Sequence, residues 1–288
     1  MVDPTPLSLG AVQETLLIPL YGRATFTRDH PALIEDPKSV EMVEALDYDF
    51  SRFENTTSLV GSVFRTRIFD RWVAAWLAEH PTGTVVEVGA GLNTRFERLD
   101  DGQARWFELD LPDVIEVRRR FFADTDRRTT LAASVLDTGW LDAVEATGGP
   151  WFFSAEAVLI YLDPADVTRV LATIGSRFPG SPVALDTWGT WMADHQGDHD
   201  TIGSMAAEFR WFCDDPAALD LPGVDIDLVE RFTFVEAPAD LPPAGRAAPG
   251  APGGGRRLPD AQLPPEPPDP RSPTVSPRGP APDPEEQP

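Results

Sequence analysis

One stretch, TVVEVGAGLNTRFERLDDGQARWFELD over residues 84–110, constrains this chain more than any other. Val85, Val86 and Val88 form a β-branched, nearly continuous apolar run, the composition of a parallel strand covered on both faces. Gly89 and Gly91 then allow a sharp turn and a close backbone approach to a ligand with no Cβ in the way. Asn93 or Thr94 caps the helix that follows, whose first N–H groups point at whatever sits over the turn. Trp106, Phe107 and Leu109 form the next strand. Asp110 stands at its carboxyl end, about twenty residues after the glycines, one strand–helix–strand step away. A carboxylate there accepts hydrogen bonds from ribose hydroxyls.

The pattern reads as a nucleoside site, but not as a dinucleotide or triphosphate site. G-x-G-x-x-R lacks the third glycine that closes helix on strand in dinucleotide enzymes, and Asn93–Thr94–Arg95 offers no lysine for a triphosphate. The acid pair Glu87 and Asp110, with a turn too short to cradle a pyrophosphate, suits a neutral-to-cationic nucleoside such as S-adenosylmethionine.

GAGLNTRFERL, followed by WFELDLPDVIEVRRRFF and then SAEAVLIYL, resembles the leucine carboxyl methyltransferase family of S-adenosylmethionine-dependent O-methyltransferases. Within it the chain is most similar to the bacterial branch that methylates carboxyl or hydroxyl oxygens of polyketide-type metabolites. The similarity runs over roughly residues 5 to 235. It implies an α/β fold: a Rossmann-like class I methyltransferase sheet, with residues 1–57 as an N-terminal helical cap over the methyl donor. From 238 to 288 the composition turns Pro/Gly-rich, with almost no large apolar side chains, and reads as a disordered tail. Family chains continue there with helices and a further strand, so the sheet edge is expected to differ from theirs.

In the helix expected over 58–79, Phe64, Ile68, Phe69, Trp72, Val73, Trp76 and Leu77 make a broad apolar face. Arg65 falls on that face, whereas Arg67 shares its side with Asp70, Arg71 and Ala74 and reads as solvated. An inward guanidinium needs an anion. The resemblance implies that this anion is the donor's carboxylate, and the alternative is an ion pair with a core carboxylate. Leu131 to Leu136 reads as the third strand, ended by Asp137, which either receives the adenine amino group or caps the next helix. Pro150 to Ala155 is the fourth strand, and ligands in open α/β sheets bind beyond the strand ends where strand order switches. Gly89, Asp110 and Glu156 therefore converge. The resemblance implies that Glu156 faces the donor's amino group and that Tyr161 lies near the reacting end. Leu111 and Leu136 are assigned to the donor site beside their neighbouring acids.

Beyond the fifth strand, PVALDT, the segment TWGTWMADHQGDHDT is rich in aromatic and ionisable groups. His195 and His199 are four apart with acids beside them, a spacing open to a divalent metal. Gly197 interrupts the helix between them and no third ligand is in view, so no metal is expected. An acceptor pocket of Trp188, Trp191, Met192 and Tyr161 is the reading, with His199 as general base where the acceptor is a phenol. Met205 to Phe212 is expected as a helix and Val224 to Val235 as a sixth strand.

A formal net charge of −23 repels nucleic acid and anionic membrane surfaces, which leaves a small-molecule acceptor as the expected partner. Cys213 is the one cysteine, so an intrachain disulfide is excluded. The first residues show no leader and no apolar run reaches membrane-spanning length, so a cytoplasmic protein is expected. Oligomeric state stays open. An oxidoreductase using a dinucleotide and a non-catalytic donor-binding protein remain as competing readings.

Overall fold

Apolar alternation decides which side of the sheet each strand residue faces, and the computed structural model describes the outcome for residues 9–233. The tail expected at 238–288 and residues 234 and 235 of the expected sixth strand lie outside the described residues. Helices α1 (Leu17–Asp29), α2 (Pro37–Ala45) and α3 (Thr57–Glu79) come first. Then follow β1 (Thr84–Val88), α4 (Arg95–Leu99), β2 (Arg105–Asp110), α5 (Pro112–Arg118), β3 (Arg128–Ala132) and α6 (Gly139–Glu145). The series ends with β4 (Trp151–Ala155), α7 (Pro164–Arg177), β5 (Val183–Leu185) and α8 (Trp191–His195).

The strands form one parallel sheet in the order β3-β2-β1-β4-β5. Strand order reverses between β1 and β4, so the turn after β1 and the loop after β4 open side by side at the carboxyl end. Val86, Val88, Phe107, Leu109 and Phe153 face a core completed by Leu17 and Leu20 of α1, Val144 of α6 and Val170 and Ile174 of α7. Val85, Trp106, Phe152 and Ala184 face the other way, against Phe69, Val73 and Trp76 of α3. The expected α3 face is therefore the one that packs.

Side-chain alternation also sends Glu87, Glu108 and Ser154, which lie in register on adjacent strands, toward the α3 side. A buried carboxylate is costly unless matched by a cation with good geometry. Arg128 donates to both oxygens of Glu108 at 2.8 Å, and Arg118 adds Nε at 3.1 Å. The third strand is Arg128–Ala132 rather than the expected 131–136, because it pairs with β2 from Trp106 to Asp110 and stops where that partner ends.

Two expected elements are corrected. Residues 205–212 are not helical: Phe209 N–H donates to Gln196 Oε1 at 2.7 Å, and the N–H groups of Arg210 and Trp211 donate to the Ile160 carbonyl at 2.8 and 3.2 Å. Tertiary acceptors thus take amides that a helix would bond to its own carbonyls. Within Val224–Thr233 no strand forms either. Glu230 accepts from Trp72 Nε1 at 2.7 Å and pairs with Arg71, whose guanidinium also lies over the Phe232 ring at 4.3 Å. The segment is held on α3 by side chains, and Ile226, Leu228 and Val229 stay exposed. No helix among the described residues is long and apolar enough to cross a membrane.

Candidate active site

The turn after β1 has Gly89 at φ +64° and Gly91 at φ +50°, a backbone region that favours glycine. The two glycines make room for different things. A Cβ at Gly89 would collide with the Val158 side chain from the loop after β4, so packing alone already requires a glycine there. Over Gly91 the nearest atom is Leu16 Cβ at 3.4 Å, which places the cap above the turn. Asp110 Oδ2 accepts from Gly91 N–H at 2.6 Å and Oδ1 from Leu111 N–H at 2.7 Å. Burial still pushes the Asp110 carboxyl above its ordinary range, with these two amides opposing it. Gly91, Asp110 and Leu111 are thus brought together as expected.

Arg65 points inward from α3. Its Nε donates to Glu156 Oε1 at 3.1 Å, and its Nη1 lies 3.5 Å from Asp186 Oδ2 at the end of β5. Glu156 also accepts from the Thr66 hydroxyl at 2.9 Å and from Arg95. Both readings of Arg65 meet here, because the core carboxylates orient a guanidinium whose Nη2 takes no part in these contacts. Arg67 departs from its solvated reading, since it is half-buried and donates to the Leu33 carbonyl.

Arg95, the first residue of α4, is fully enclosed. It reaches Asp70 at 2.8 Å, Glu87 at 2.6 Å and Glu156. Both Glu87 oxygens accept from Arg95 Nη1, so Glu87 meets a protein cation where a ligand was expected. Arg98 extends the array through Asp70 at 2.8 Å to Asp36 at 3.4 Å, and Asp36 binds Arg23 of the cap at 2.9 Å. Burial alone would raise the Asp70 carboxyl, but Arg98 and Arg95 outweigh it and hold the pKa at about 2. A folded-state pKa below the unfolded value of about 3.9 contributes stability above that value and loses it as pH falls toward 2. Acid unfolding followed by circular dichroism should therefore show wild type losing stability over this window. Asp70→Asn, already short of that contribution at neutral pH, should show a flatter pH dependence there.

Leu136 and Asp137 stand apart from this group. Asp137 is exposed and closes its own turn by accepting from Ser134 N–H at 3.0 Å. Both residues line a crevice with Val135 and Trp140 against Val170 and Ile174 of α7.

On the β5 side, Tyr161 packs on Phe209 with ring centroids 5.5 Å apart, and Phe209 on Trp188 at 5.3 Å. His199 meets the edges of Trp188 and Phe209, each at 5.7 Å. Its Nδ1 faces the N–H groups of Thr201 at 3.4 Å and Ile202 at 3.3 Å. Burial lowers its pKa, with Asp200 opposing and Arg65 adding to the depression. Asp200 itself reaches back to α3, accepting from Ser58 N–H at 3.1 Å and from the Thr57 hydroxyl at 2.8 Å, and so caps the helix that carries Arg65. Met192 is buried, but Trp191 is 65% exposed and stacks on His195 at 3.8 Å, so Trp191 is not part of the aromatic wall. Among the described residues no group of three or more His, Cys, Asp or Glu side chains is placed to hold a metal.

The parallel sheet, the glycine turn and an acid closing β2 are the arrangement of a nucleotide-binding α/β fold. The family of leucine carboxyl methyltransferases matches residues 17–175, and this chain belongs to that family. It is 31% identical over 234 residues to the tetracenomycin polyketide synthesis O-methyltransferase TcmP of Streptomyces glaucescens, covering 81% of this chain and 86% of that protein. It is 28% identical over 250 residues to the S-adenosyl-L-methionine-dependent methyltransferase dpfgK of Gibberella zeae, covering 77% of this chain and 83% of that one. Among solved structures, magnesium protoporphyrin IX methyltransferase from Synechocystis aligns at a TM-score of 0.37 and 14% identity, over 57% of this chain and 86% of that chain. The family resemblance read from the sequence is borne out. The protein is an S-adenosyl-L-methionine-dependent methyltransferase. Its residues fit that donor, with the Asp110 carboxylate beside a glycine backbone and the Arg65 guanidinium directed inward from α3 onto Glu156 beyond the end of β4.

Proposed function

We propose that the protein methylates a carboxyl oxygen of a small aromatic, polyketide-like acceptor. The observation that carries the acceptor class is the wall of Tyr161, Phe209, Trp188 and His199, which offers flat apolar contact, with Tyr161 and His199 near enough to feel the charge of Arg65. Such a wall suits a ring system better than a peptide terminus, and the relative from Streptomyces glaucescens serves polyketide synthesis.

In this reading Asp110 accepts from the ribose hydroxyls, with Gly91 and Leu111 beside it. Arg65 donates to the donor's carboxylate, while Glu156 holds Arg65 in place and faces the amino group. Leu136 and Asp137 are assigned to the adenine end by the family resemblance. Bound S-adenosylmethionine supplies an electrophilic methyl group on a sulfonium. The protein's task is then alignment, since an in-line displacement needs the reacting atoms about 3 Å apart.

A carboxylate is already a nucleophile at neutral pH and needs no base, whereas a phenol does. His199 is better set to donate than to take a proton. With Nδ1 accepting from two backbone N–H groups, the neutral ring carries its hydrogen on Nε2. Its hydrogen bond then orients the acceptor, and Tyr161 closes the reacting end. His199→Ala should leave turnover within a few fold. A loss of about a hundredfold, partly restored at high pH, would instead identify a phenolic acceptor. Methyl transfer from labelled donor to a panel of aromatic acids, phenols and peptides tests the whole reading, and transfer confined to a peptide carboxyl terminus would overturn it.

A further inference from the structure

A continuous chain of alternating charge runs from the cap to the end of β5. In order it passes Arg23, Asp36, Arg98, Asp70, Arg95, Glu156, Arg65 and Asp186, with Glu87 branching from Arg95. The guanidiniums number four and the carboxylates five. Each interior carboxylate has a close cation: Asp36 has Arg23 at 2.9 Å, Asp70 has Arg98 and Arg95 at 2.8 Å, and Glu87 has Arg95 at 2.6 Å. Asp186 closes the chain and is the least well matched. Among the described residues the cation it faces is Arg65, at 3.5 Å, and Arg65 already donates to Glu156.

We propose that Asp186 reads the charge of the methyl donor: it is the unmatched carboxylate of this array, and the sulfonium is the cation that completes it. The inference rests on the donor site placed above. Asp186 Oδ1 accepts from Ala157 N–H at 2.8 Å, which fixes the carboxylate between the loop after β4 and the end of β5. Around it stand Arg65 from α3, Glu156 after β4 and Tyr161 from the 3-10 turn at Leu159–Tyr161. Burial pushes the Asp186 carboxyl up, Arg65 opposes it, and Glu156 adds to the rise, as a site short of one positive charge requires.

The donor carries one carboxylate, one ammonium and one sulfonium, a net charge of plus one. In the transfer, a lone pair of the acceptor oxygen forms the new C–O bond and the C–S electron pair stays on sulfur. Sulfur becomes a neutral thioether, and the spent donor has no net charge. Asp186 therefore favours the methylated form over the demethylated one, which aids exchange of product for fresh donor.

The test compares S-adenosylhomocysteine, the neutral thioether, with sinefungin, which carries an amine in place of the sulfonium, by calorimetry on wild type and Asp186→Asn. The expected result is that the preference for the cationic ligand falls about tenfold in the variant, the order for opposite charges a few ångströms apart in a partly solvated site. The readout is the ratio of the two affinities, so a change that reaches both ligands through Arg65 cancels. Wild type alone gives a second readout that needs no variant: thioether binding should take up a proton, seen as dependence of the heat on buffer ionisation enthalpy, and sinefungin binding should take up less. An equal loss for both ligands in Asp186→Asn, or equal proton uptake for both in wild type, would overturn the charge-reading role and leave Asp186 as a prop for Arg65. If wild type binds neither ligand, the donor site itself is wrong and this inference falls with it.

Discussion

Arg95→Ala should be the most destabilising single substitution in the sheet layer, with about 3 to 5 kcal/mol lost in denaturant unfolding. The size follows from what is left behind. Asp70, Glu87 and Glu156 each have an oxygen on Arg95, and Ser154 Oγ accepts from it at 3.0 Å. Removing the guanidinium strands Glu87, which has no other cation partner among the described residues and is 3% exposed. Burial raises the Glu87 carboxyl even with Arg95 present, so Glu87 should take up a proton in the variant. The destabilisation should then shrink as pH is lowered, because a neutral carboxyl is cheaper to bury than an ionised one. Arg95→Ala combined with Glu87→Gln should recover part of the loss. A single variant within 1 kcal/mol of wild type would show that the array is not what holds α4 to the sheet.

The strand–turn–helix–strand core was legible because its signals are local. Val85, Val86 and Val88 form the strand they spell, Gly89 and Gly91 take the positive φ values they permit, and Asp110 lands beside Gly91 through one strand–helix–strand step. The inward turn of Arg65 was legible too, since helical periodicity alone separates it from Arg67. What stayed hidden depends on residues distant in sequence. Nothing near Arg95 announces that it gathers Asp70, Glu87 and Glu156 from three other elements. The one local signal is a charge, Glu87, inside an apolar strand, and that pattern fits a ligand-facing acid equally well. Asp186 was masked in the same way by its place in PVALDT, an ordinary strand end. Residues 205–212 have helical composition, yet their amides go to Gln196 and Ile160, partners no local pattern reveals.

Arg65→Ala should weaken donor binding by about 2 to 3 kcal/mol, roughly a hundredfold in Kd, while Arg67→Ala changes it little. The contrast isolates direction. Both residues are half-buried on the same helix, but Arg65 lies between Glu156 and Asp186, whereas Arg67 turns to the Leu33 carbonyl in the cap. Buried acids flank Arg65 on two sides and raise its pKa against the burial that would lower it, so it stays charged across any accessible pH. Its removal takes away one charge-assisted contact to the donor's carboxylate and leaves two acids facing that carboxylate. Repulsion is thereby added to the lost attraction. Arg65→Lys separates these effects. An ammonium keeps the charge but not the planar fork held by Glu156 and Asp186, so Lys should recover the repulsive part and not the oriented contact, leaving an intermediate affinity. Calorimetry with S-adenosylmethionine on Arg65→Ala, Arg65→Lys and Arg67→Ala decides the matter. Equal losses for the two alanine variants would assign Arg65 to the structural array alone and move recognition of the donor's carboxylate elsewhere on the strand ends.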